Sequence, residues 1–249
     1  MGENEYPKIN SMFKRDEKGK MIPEFSESAF KYLAKNEWIG TEKVDGMGVR
    51  IEIIPLMDGD GCSIQLMGRT DNSRIPQNLS KHYWRLLVDK LSIQNIKKVF
   101  PRLSSFHSIT LYGEAYGEKI QKAGKQYCPN GGVGIVIFDI KVATATLDGN
   151  IREEYWLERH NVEDITKKLD LDVAPIIFKG SLLDAVAFLS KGDTITQVTR
   201  FPAHIEGLVL QPVVPLQDRR GNRIITKLKI KDLRKFPNGF PVSEIDLDN

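Results

Sequence analysis

Cysteine and histidine are scarce in this sequence. Its 249 residues include two cysteines, Cys62 and Cys128, and four scattered histidines. Two cysteines are too few for a disulfide-stapled secreted domain and are typical of a reducing compartment. No histidine lies near a cysteine, which excludes the ligand spacing of a zinc finger.

Long apolar runs, internal repeats and low-complexity tracts are also missing. No stretch approaches the roughly 18 consecutive apolar residues of a membrane helix, and the charged N-terminus lacks the apolar segment of a signal peptide. We therefore expect a soluble, cytoplasmic protein with no membrane partner.

Neither sign of charge is in large excess. The chain has 36 Lys+Arg and 33 Asp+Glu, a formal net charge of +3. This balance excludes a histone-like protein, so any binding of nucleic acid would need a local basic groove.

Short strands and interspersed helices are what the pattern contains. Val49, Ile51 and Ile53 alternate with charged residues, which is typical of a half-buried strand. The predicted strands lie within residues 38–54, 63–67, 109–112, 133–140, 206–213 and 223–230, with a hairpin turn at 58–61. The predicted helices are 26–35, 81–98, 153–169 and 182–189. This order predicts an α+β fold with mostly antiparallel sheets and flanking helices.

A lysine at a strand end is the sharpest chemical feature. Lys43 lies between Glu42 and Asp45, just before Gly46, and taken alone it also fits an exposed hairpin. A lysine nucleophile must be neutral when it attacks, and nearby cations or burial favour the neutral amine.

Two further lysines occur far downstream. Lys227 and Lys229 are two residues apart, so on a strand their side chains point to one face. They would place positive charge where a phosphate binds, although lysines also protect exposed edge strands.

Three acidic residues lie at or within apolar strands. Glu114 ends one strand, Asp139 lies inside another, and Glu206 precedes Gly207. A buried carboxylate is costly unless it is paired or holds a metal. Each acid alone fits a salt-bridged core residue, but together with the lysines they favour a catalytic site.

In this order the elements resemble those of the ATP-dependent RNA ligases, phage-type and bacterial, of the covalent nucleotidyltransferase superfamily. That superfamily has Lys-x-Asp-Gly, Gly-Glu, Phe-Asp, Glu-Gly and Lys-x-Lys, in this sequence. The matching residues here are Lys43, Asp45 and Gly46, Gly113 and Glu114, Phe138 and Asp139, Glu206 and Gly207, and Lys227 and Lys229. The resemblance covers nearly the whole chain and implies the adenylation (nucleotidyltransferase) fold.

The resemblance implies a reaction and its catalytic residues. Lys43 attacks the α-phosphate of ATP and becomes lysine–AMP; AMP then passes to an RNA 5′-phosphate, and a 3′-hydroxyl displaces it. The implied catalytic residues are Lys43, Asp45, Glu206, Lys227 and Lys229.

Nucleotide-binding and metal-binding residues are implied as well. Glu42 would accept from the adenine amino group, and Phe138 would stack on the purine. The other implied nucleotide ligands are Lys43, Arg50, Arg69, Glu114, Lys227 and Lys229. Asp45, Asp139 and Glu206 would hold Mg²⁺ or Mn²⁺. Lys14 and Arg15 would meet the triphosphate or RNA.

The implied partners are RNA ends. The resemblance leaves two substrates as alternatives, a nicked duplex and free single strands. We expect a monomer in the cytoplasm, which is the host cytoplasm for a phage-encoded member, and a helper RNA-binding protein stays open. The sequence departs from many members at Met47 and Gly48, where Thr-Asn is common, and at Gln211, where a basic residue is common.

The length predicts a single nucleotidyltransferase domain over residues 1–249. Residues 230–249 are all that follow Lys229, too few for the roughly 70–100 residues of a C-terminal OB fold. Three alternatives stay open: a minimal DNA ligase, a capping-type nucleotidyltransferase, and a non-catalytic relic that binds nucleotide or RNA.

The predicted helix 81–98 contains two aromatic residues, Tyr83 and Trp84. Trp84 would share the apolar face with Leu87, Val88 and Leu91. We therefore expect Tyr83 and Trp84 in the core, with one alternative, that one of them faces RNA.

Overall fold

A computed structural model of the chain describes residues 4–56, 61–118, 120–121, 124–128, 132–145 and 151–247. The predicted hairpin turn at residues 58–61 lies, except for Gly61, outside them. No helix in these ranges is both long and apolar enough to cross a membrane. Cys62 and Cys128 are free thiols.

Helices are interspersed among runs of strands along the chain, as predicted. The strands are β1 Asn10–Ser11, β2 Phe13–Arg15, β3 Met21–Phe25, β4 Trp38–Lys43, β5 Met47–Pro55, β6 Cys62–Gly68, β7 His107–Gly117, β8 Val133–Ala145, β9 Ile151–Trp156, β10 Asp172–Val173, β11 Ile176–Gly180, β12 Gly207–Pro212 and β13 Thr226–Lys229. The helices are α1 Ser28–Tyr32, α2 Gln77–Asp89, α3 Ile93–Val99, α4 Gly124–Tyr127, α5 Arg159–Lys168, α6 Leu182–Ser190 and α7 Ile230–Leu233, followed by a 3₁₀ turn at Val242–Glu244.

The chain divides into two compact units, each built from three separate segments. The first unit comprises Met1–Tyr6, Asp45–Ala174 and Val198–Phe201. The second comprises Pro7–Val44, Pro175–Gln197 and Pro202–Asn249. A single nucleotidyltransferase domain over 1–249 stays a prediction.

A five-stranded sheet forms the centre of the second unit, in the order β1-β13-β12-β4-β11. Strand β12 lies antiparallel between β4 and β13. Trp38, Leu208 and Leu228 enter the core together with helix α6. The alternate residues point to the opposite face, and Lys43, Lys227 and Lys229 are among them.

The first unit contains a six-stranded sheet in the order β10-β8-β7-β5-β6, with β9 paired to β8. One face packs with α2, α3 and α5 through residues such as Ile51, Leu79 and Ile165. Charged residues of this unit that are nonetheless buried include Arg50, Asp139 and Lys141. The predicted α+β class with mostly antiparallel sheets is confirmed.

Two predicted helices were wrong in part. The predicted helix 81–98 is two helices, because the Ser92 hydroxyl caps α3 by accepting from the Asn95 N–H at 3.3 Å. The start of the predicted helix 153–169 is strand β9. There, backbone pairing with β8 and a 2.6 Å ion pair between Lys141 and Glu154 override the helical preference of glutamate.

The first helix also begins later than predicted. It starts at Ser28 rather than after Ser26. The Ser26 hydroxyl donates to the Ser11 carbonyl instead of capping the helix, so the hydroxyl fastens two strands of the second unit's N-terminal region.

Candidate functional site

Three neighbouring strands of the second unit bring Lys43, Gly207 and Lys229 side by side. Gly207 pairs with Lys43 on one side and with Lys229 on the other. A Cβ at position 207 would lie 2.0 Å from the Leu228 carbonyl oxygen. Only glycine therefore permits the strands to approach this closely, which gives the Glu-Gly pair a physical reason.

Glu206 lies between the two lysines. One carboxylate oxygen accepts from the Lys229 ammonium at 2.5 Å, and the other accepts from the Lys43 ammonium. The Glu206 N–H donates to the Lys43 carbonyl at 3.1 Å, and its own carbonyl accepts from the Ile230 N–H at 3.0 Å. The backbone thus fixes the carboxylate from both sides.

The electrostatics of Glu206 follow from this position. Burial raises the pKa of Glu206, but the Lys43 charge and the hydrogen bonds from Lys229 and Lys43 outweigh burial, so the pKa lies below its usual range. Glu206 is therefore a carboxylate at neutral pH. The side chains of Lys43 and Lys229 are 21% and 22% exposed, so the cluster is open to solvent.

Lys227 lies on the same face of β13 as Lys229. It pairs with Val209 of β12 and Ser11 of β1, while Thr226 and Leu228 on the other face are buried. The second unit thus presents three lysines and one carboxylate on one side of its sheet.

Glu42 points to the opposite face of β4 from Lys43, because neighbouring strand residues alternate. It is buried, and its carboxylate accepts from the Thr196 hydroxyl and from the Gln197 N–H at 2.8 Å. Its own N–H donates to the Pro175 carbonyl at 2.9 Å. Thr196 and Gln197 were not predicted, and nothing in their sequence context signals the contact.

In the first unit, Gly48 lies beside two predicted nucleotide ligands. It pairs with Glu114 of β7, and a Cβ at position 48 would be 3.5 Å from the Arg69 Cβ. At Gly46 a Cβ would lie 2.2 Å from the Ala115 carbonyl oxygen. The Asp-Gly turn thus approaches β7 closely, and the Arg69 side chain covers Gly48.

Phe138 and Asp139 lie at a register shift between β7 and β8. The Tyr6 hydroxyl donates to Asp139 at 2.9 Å, and the Tyr6 ring meets Phe138 edge-on with centroids 5.0 Å apart. Tyr112 and Trp156 complete this aromatic cluster. Tyr6 is not among the predicted site residues, and its contact with Asp139 was not predicted.

Arg50, a predicted nucleotide ligand, is 2% exposed and fully engaged inside the first unit. Its guanidinium pairs with Glu52 at 2.8 Å and with Asp71. It also donates to the carbonyls of Gly68 and Arg69 at 3.2 and 3.1 Å. Burial lowers the pKa of Arg50, but the hydrogen bonds that it donates to Glu52 and Asp71 raise its pKa overall. The structure therefore places Arg50 as a support for the segment carrying Arg69.

Lys14 and Arg15 have partners within the second unit. Lys14 pairs with Glu24, and Arg15 forms a two-pronged pair with the buried Asp232, at 3.2 and 2.6 Å. The hydrogen bond and charge of Asp232 raise the pKa of Arg15 despite burial. Both cations are thus used in holding the N-terminal strands in place.

The predicted metal ligands do not form a closed metal site. In the ranges that the structure covers, no three His, Cys, Asp or Glu side chains come together as a metal site. Mg²⁺ commonly takes one or two carboxylates and completes its shell with phosphates and water. The Asp139 oxygens accept from neutral donors, the Tyr6 hydroxyl at 2.9 Å and the Ile140 N–H at 3.2 Å, which do not cancel the negative charge that a cation would bind. Each Glu206 oxygen is bound to an ammonium and does not fit a metal in this arrangement.

A family model described as RNA ligase matches residues 36–229 of the chain. This range includes every predicted site residue except Lys14 and Arg15. No protein with a curated description matches the chain significantly.

Solved structures resemble the fold. Naegleria gruberi RNA ligase with PPi has a TM-score of 0.52 and 17% identity, over 94% of this chain and 64% of that one. A mutant of that ligase with ATP and Mn has the same TM-score and identity, over 90% and 57%. An archaeal ATP-dependent RNA ligase has a TM-score of 0.50 and 14% identity, over 90% and 47%. The chain thus spans about half to two thirds of the length of these proteins, and likeness at such identity shows the fold.

Proposed function

Because the chain belongs to the RNA ligase family, we propose that it is an ATP-dependent RNA ligase that joins an RNA 5′-phosphate to a 3′-hydroxyl. The observation that carries the proposal is Glu206 held between the ammonium groups of Lys43 and Lys229. A protein that only binds nucleotide has no need of a lysine nucleophile such as Lys43. An adenylating enzyme needs one amine to attack and a second cation to receive the phosphate charge.

In the first step Lys43 exchanges its ion pair for the α-phosphate of ATP. An amine attacks through its lone pair, so the pair with Glu206 opens and the ammonium loses its proton to solvent, which reaches the partly exposed Lys43. The Nζ–phosphorus bond forms while the bond from the α-phosphorus to the pyrophosphate oxygen breaks. Lys229, with Lys227 on the same face, neutralises the charge on the phosphate oxygens.

Four further residues are proposed to recognise the nucleotide. Glu42 is the residue proposed to accept from the adenine amino group. Because its carboxylate is buried and already accepts from Thr196 and Gln197, the amino group would have to displace one of these two donors. Glu114 binds the ribose, Arg69 binds the ribose or the terminal nucleotides of the strand, and Phe138 stacks on the purine. Asp45 and Asp139 would hold a divalent cation, which would supply charge neutralisation for the ATP phosphates.

Two further steps complete the proposed reaction. The AMP passes from Lys43 to an RNA 5′-phosphate, forming a phosphoanhydride and releasing the amine. A 3′-hydroxyl then attacks that 5′-phosphate, forming the phosphodiester and releasing AMP. We also propose a cytoplasmic monomer whose partners are RNA ends.

The first experiment is incubation with α-labelled ATP and Mg²⁺. We expect a covalent adduct on the wild-type protein and none on Lys43→Ala, with Lys35→Ala as a matched control because Lys35 is exposed in the same unit. A wild-type protein without adduct, or a labelled Lys43→Ala variant, would contradict adenylation of Lys43.

Two further experiments test the specificity for the nucleotide and for the strand that is sealed. Labelled GTP should give little adduct, because guanine has a carbonyl oxygen where adenine has the amino group that Glu42 accepts from. Equal labelling by ATP and GTP contradicts the role of Glu42. A panel of nicked duplexes and single strands tests the substrate, and sealing of all-DNA nicks alone would overturn the assignment to RNA.

A further inference from the structure

We propose that the outer face of helix α2 binds unpaired nucleotides of the RNA, with Trp84 as a stacking surface and Lys81 and Arg85 as phosphate contacts. This inference rests on the proposed function, since it takes RNA as the substrate. To the nucleotide-binding residues proposed above it adds an RNA-binding surface on helix α2 of the first unit. It also predicts a preference for unpaired over paired RNA.

The exposure of Trp84 is the first observation. The Trp84 side chain is 62% exposed, whereas its neighbour Tyr83 is 7% exposed. Helix α2 contributes Leu79, Tyr83 and Leu86 to the core of the first unit. Trp84 therefore lies outside the core-facing side of the helix, contrary to the predicted apolar face. The side chains of Leu87 and Val88, predicted beside it, lie outside the described part of the chain.

The charges around Trp84 are the second observation. Lys81 and Arg85 are both exposed. Lys81 lies three residues before Trp84, on the same side of the helix, and Arg85 lies one turn beyond Lys81, about 100° around the helix from Trp84. The two cations are four residues apart, where like charges repel. Neither forms an ion pair with another residue in the ranges that the structure covers. The one acid of α2, Asp89, is its last residue.

A single strand of RNA fits this arrangement. Proteins bind single strands by stacking bases on aromatic rings while cations contact the backbone phosphates. A base inside a duplex is covered on both faces by its neighbours, so Trp84 could stack only on an unpaired base. An exposed indole with Lys81 beside it and Arg85 one turn beyond Lys81 favours a polyanionic strand over an apolar protein surface. With a net charge of only +3, such local positive charge is not a property of the whole surface.

Binding of a labelled single-stranded RNA, and of a blunt duplex of the same sequence, tests the proposal. We expect Trp84→Ala to weaken single-strand binding about 5- to 100-fold and duplex binding less than about twofold. Trp84→Phe keeps an aromatic face and should restore most of the affinity. The matched control is Tyr155→Ala, an exposed aromatic of the same unit, which should bind as the wild type does.

Salt dependence tests the cations separately. Lys81→Gln and Arg85→Gln should each reduce the slope of log affinity against log salt by about 0.7, the value for one phosphate contact on a single strand. Unchanged slopes in both variants would overturn the phosphate contacts.

Three outcomes would overturn the stacking surface: unchanged affinity in Trp84→Ala, equal losses in Trp84→Ala and Tyr155→Ala, or equal losses for single strand and duplex. The first also admits a protein partner for Trp84 instead of RNA. Adduct formation by the same wild-type preparation reports the proposed function independently. Wild-type protein that forms lysine–AMP but fails these tests refutes only the α2 surface.

Discussion

The two units hold their charged side chains in different ways. In the second unit Glu206 is shared by two ammonium groups, and the three side chains are 12–22% exposed. In the first unit the guanidinium of Arg50 is enclosed, bound by two carboxylates and two backbone carbonyls.

This difference separates a cluster that can change partners from one that cannot. When a partly exposed ion pair opens, water or a phosphate replaces the lost partner at small cost. When a buried pair opens, a charge is left without a partner inside the protein, which costs several kcal/mol. A reacting lysine needs the first arrangement, and a residue that holds a binding segment in place needs the second.

The largest expected effect is on the reaction, from Lys229→Met. Removing the second ammonium should slow formation of the lysine–AMP adduct about 10²- to 10³-fold, because the phosphate charge loses a neutralising donor. The free energy of unfolding should change by no more than about 1 kcal/mol, since Glu206 keeps Lys43. Single-turnover labelling and urea denaturation measure the two quantities.

The matched control for this substitution is Lys231→Met, at an exposed position two residues further along. We expect wild-type rates from it. A rate loss below tenfold in Lys229→Met, or an equal loss in both variants, would contradict a catalytic role for the Glu206 cluster.

Arg50→Met should have the opposite profile. We expect a loss of about 3–5 kcal/mol in the free energy of unfolding, because Glu52 is left charged and largely buried. Asp71→Asn, at a side chain 52% exposed, should cost less than about 1 kcal/mol. If Arg50→Met keeps wild-type stability but binds ATP poorly, Arg50 is a nucleotide ligand and the contrast between the units fails.

The sequence predicted the reactive cluster better than the buried one. Lys43, Glu206 and Lys229 lie at strand ends within short motifs, and the period-2 rule places Lys227 and Lys229 on one face. Arg50 also alternates with apolar residues, a pattern that only indicates a polar face. Its burial depends on the segment carrying Asp71 and Arg69 folding over it, which is a tertiary effect.

Contacts between distant segments account for the other differences. Tyr6 and Asp139 are 133 residues apart, and no periodicity connects them. The expected core position of Trp84 assumed one helix over 81–98. Helix α2 instead ends before Ser92, and it is Tyr83 and Leu86 that it directs into the core. Helix α5 was predicted, whereas β9 before it depends on pairing with β8 and on the ion pair between Lys141 and Glu154.

Glycine substitutions test the strand geometry in both units. Gly207→Ala should cost about 1–3 kcal/mol in the free energy of unfolding, since the new Cβ would lie 2.0 Å from a backbone oxygen and β12 must shift. Gly48→Ala meets only the Arg69 side chain at 3.5 Å and should change stability within about 0.5 kcal/mol. Equal losses from both substitutions would show that the close approach at Gly207 is not what requires glycine there.

The smallest expected effect is a pH dependence of the Glu206 cluster. The pKa of Glu206 is lowered in the folded protein, so its ion pairs stabilise the fold above the ordinary glutamate pKa of about 4.3. That stabilisation is lost as the pH falls through the lowered folded-state pKa. Wild type should therefore be more stable than Glu206→Gln at pH 7, and the gap should close under acid. Arg50 stays cationic throughout this range.

Urea denaturation of wild type and Glu206→Gln between pH 7 and pH 3 measures that gap. Glu17→Gln, at an exposed position of the same unit, should give a small difference that does not vary in the same way. A gap that widens on acidification would mean that protonating Glu206 stabilises the fold, as expected for a buried carboxylate without effective partners. Because Lys43 and Lys229 both contact the Glu206 carboxylate, we expect closure, and that sign distinguishes a charge-balanced reactive cluster from a desolvated acid.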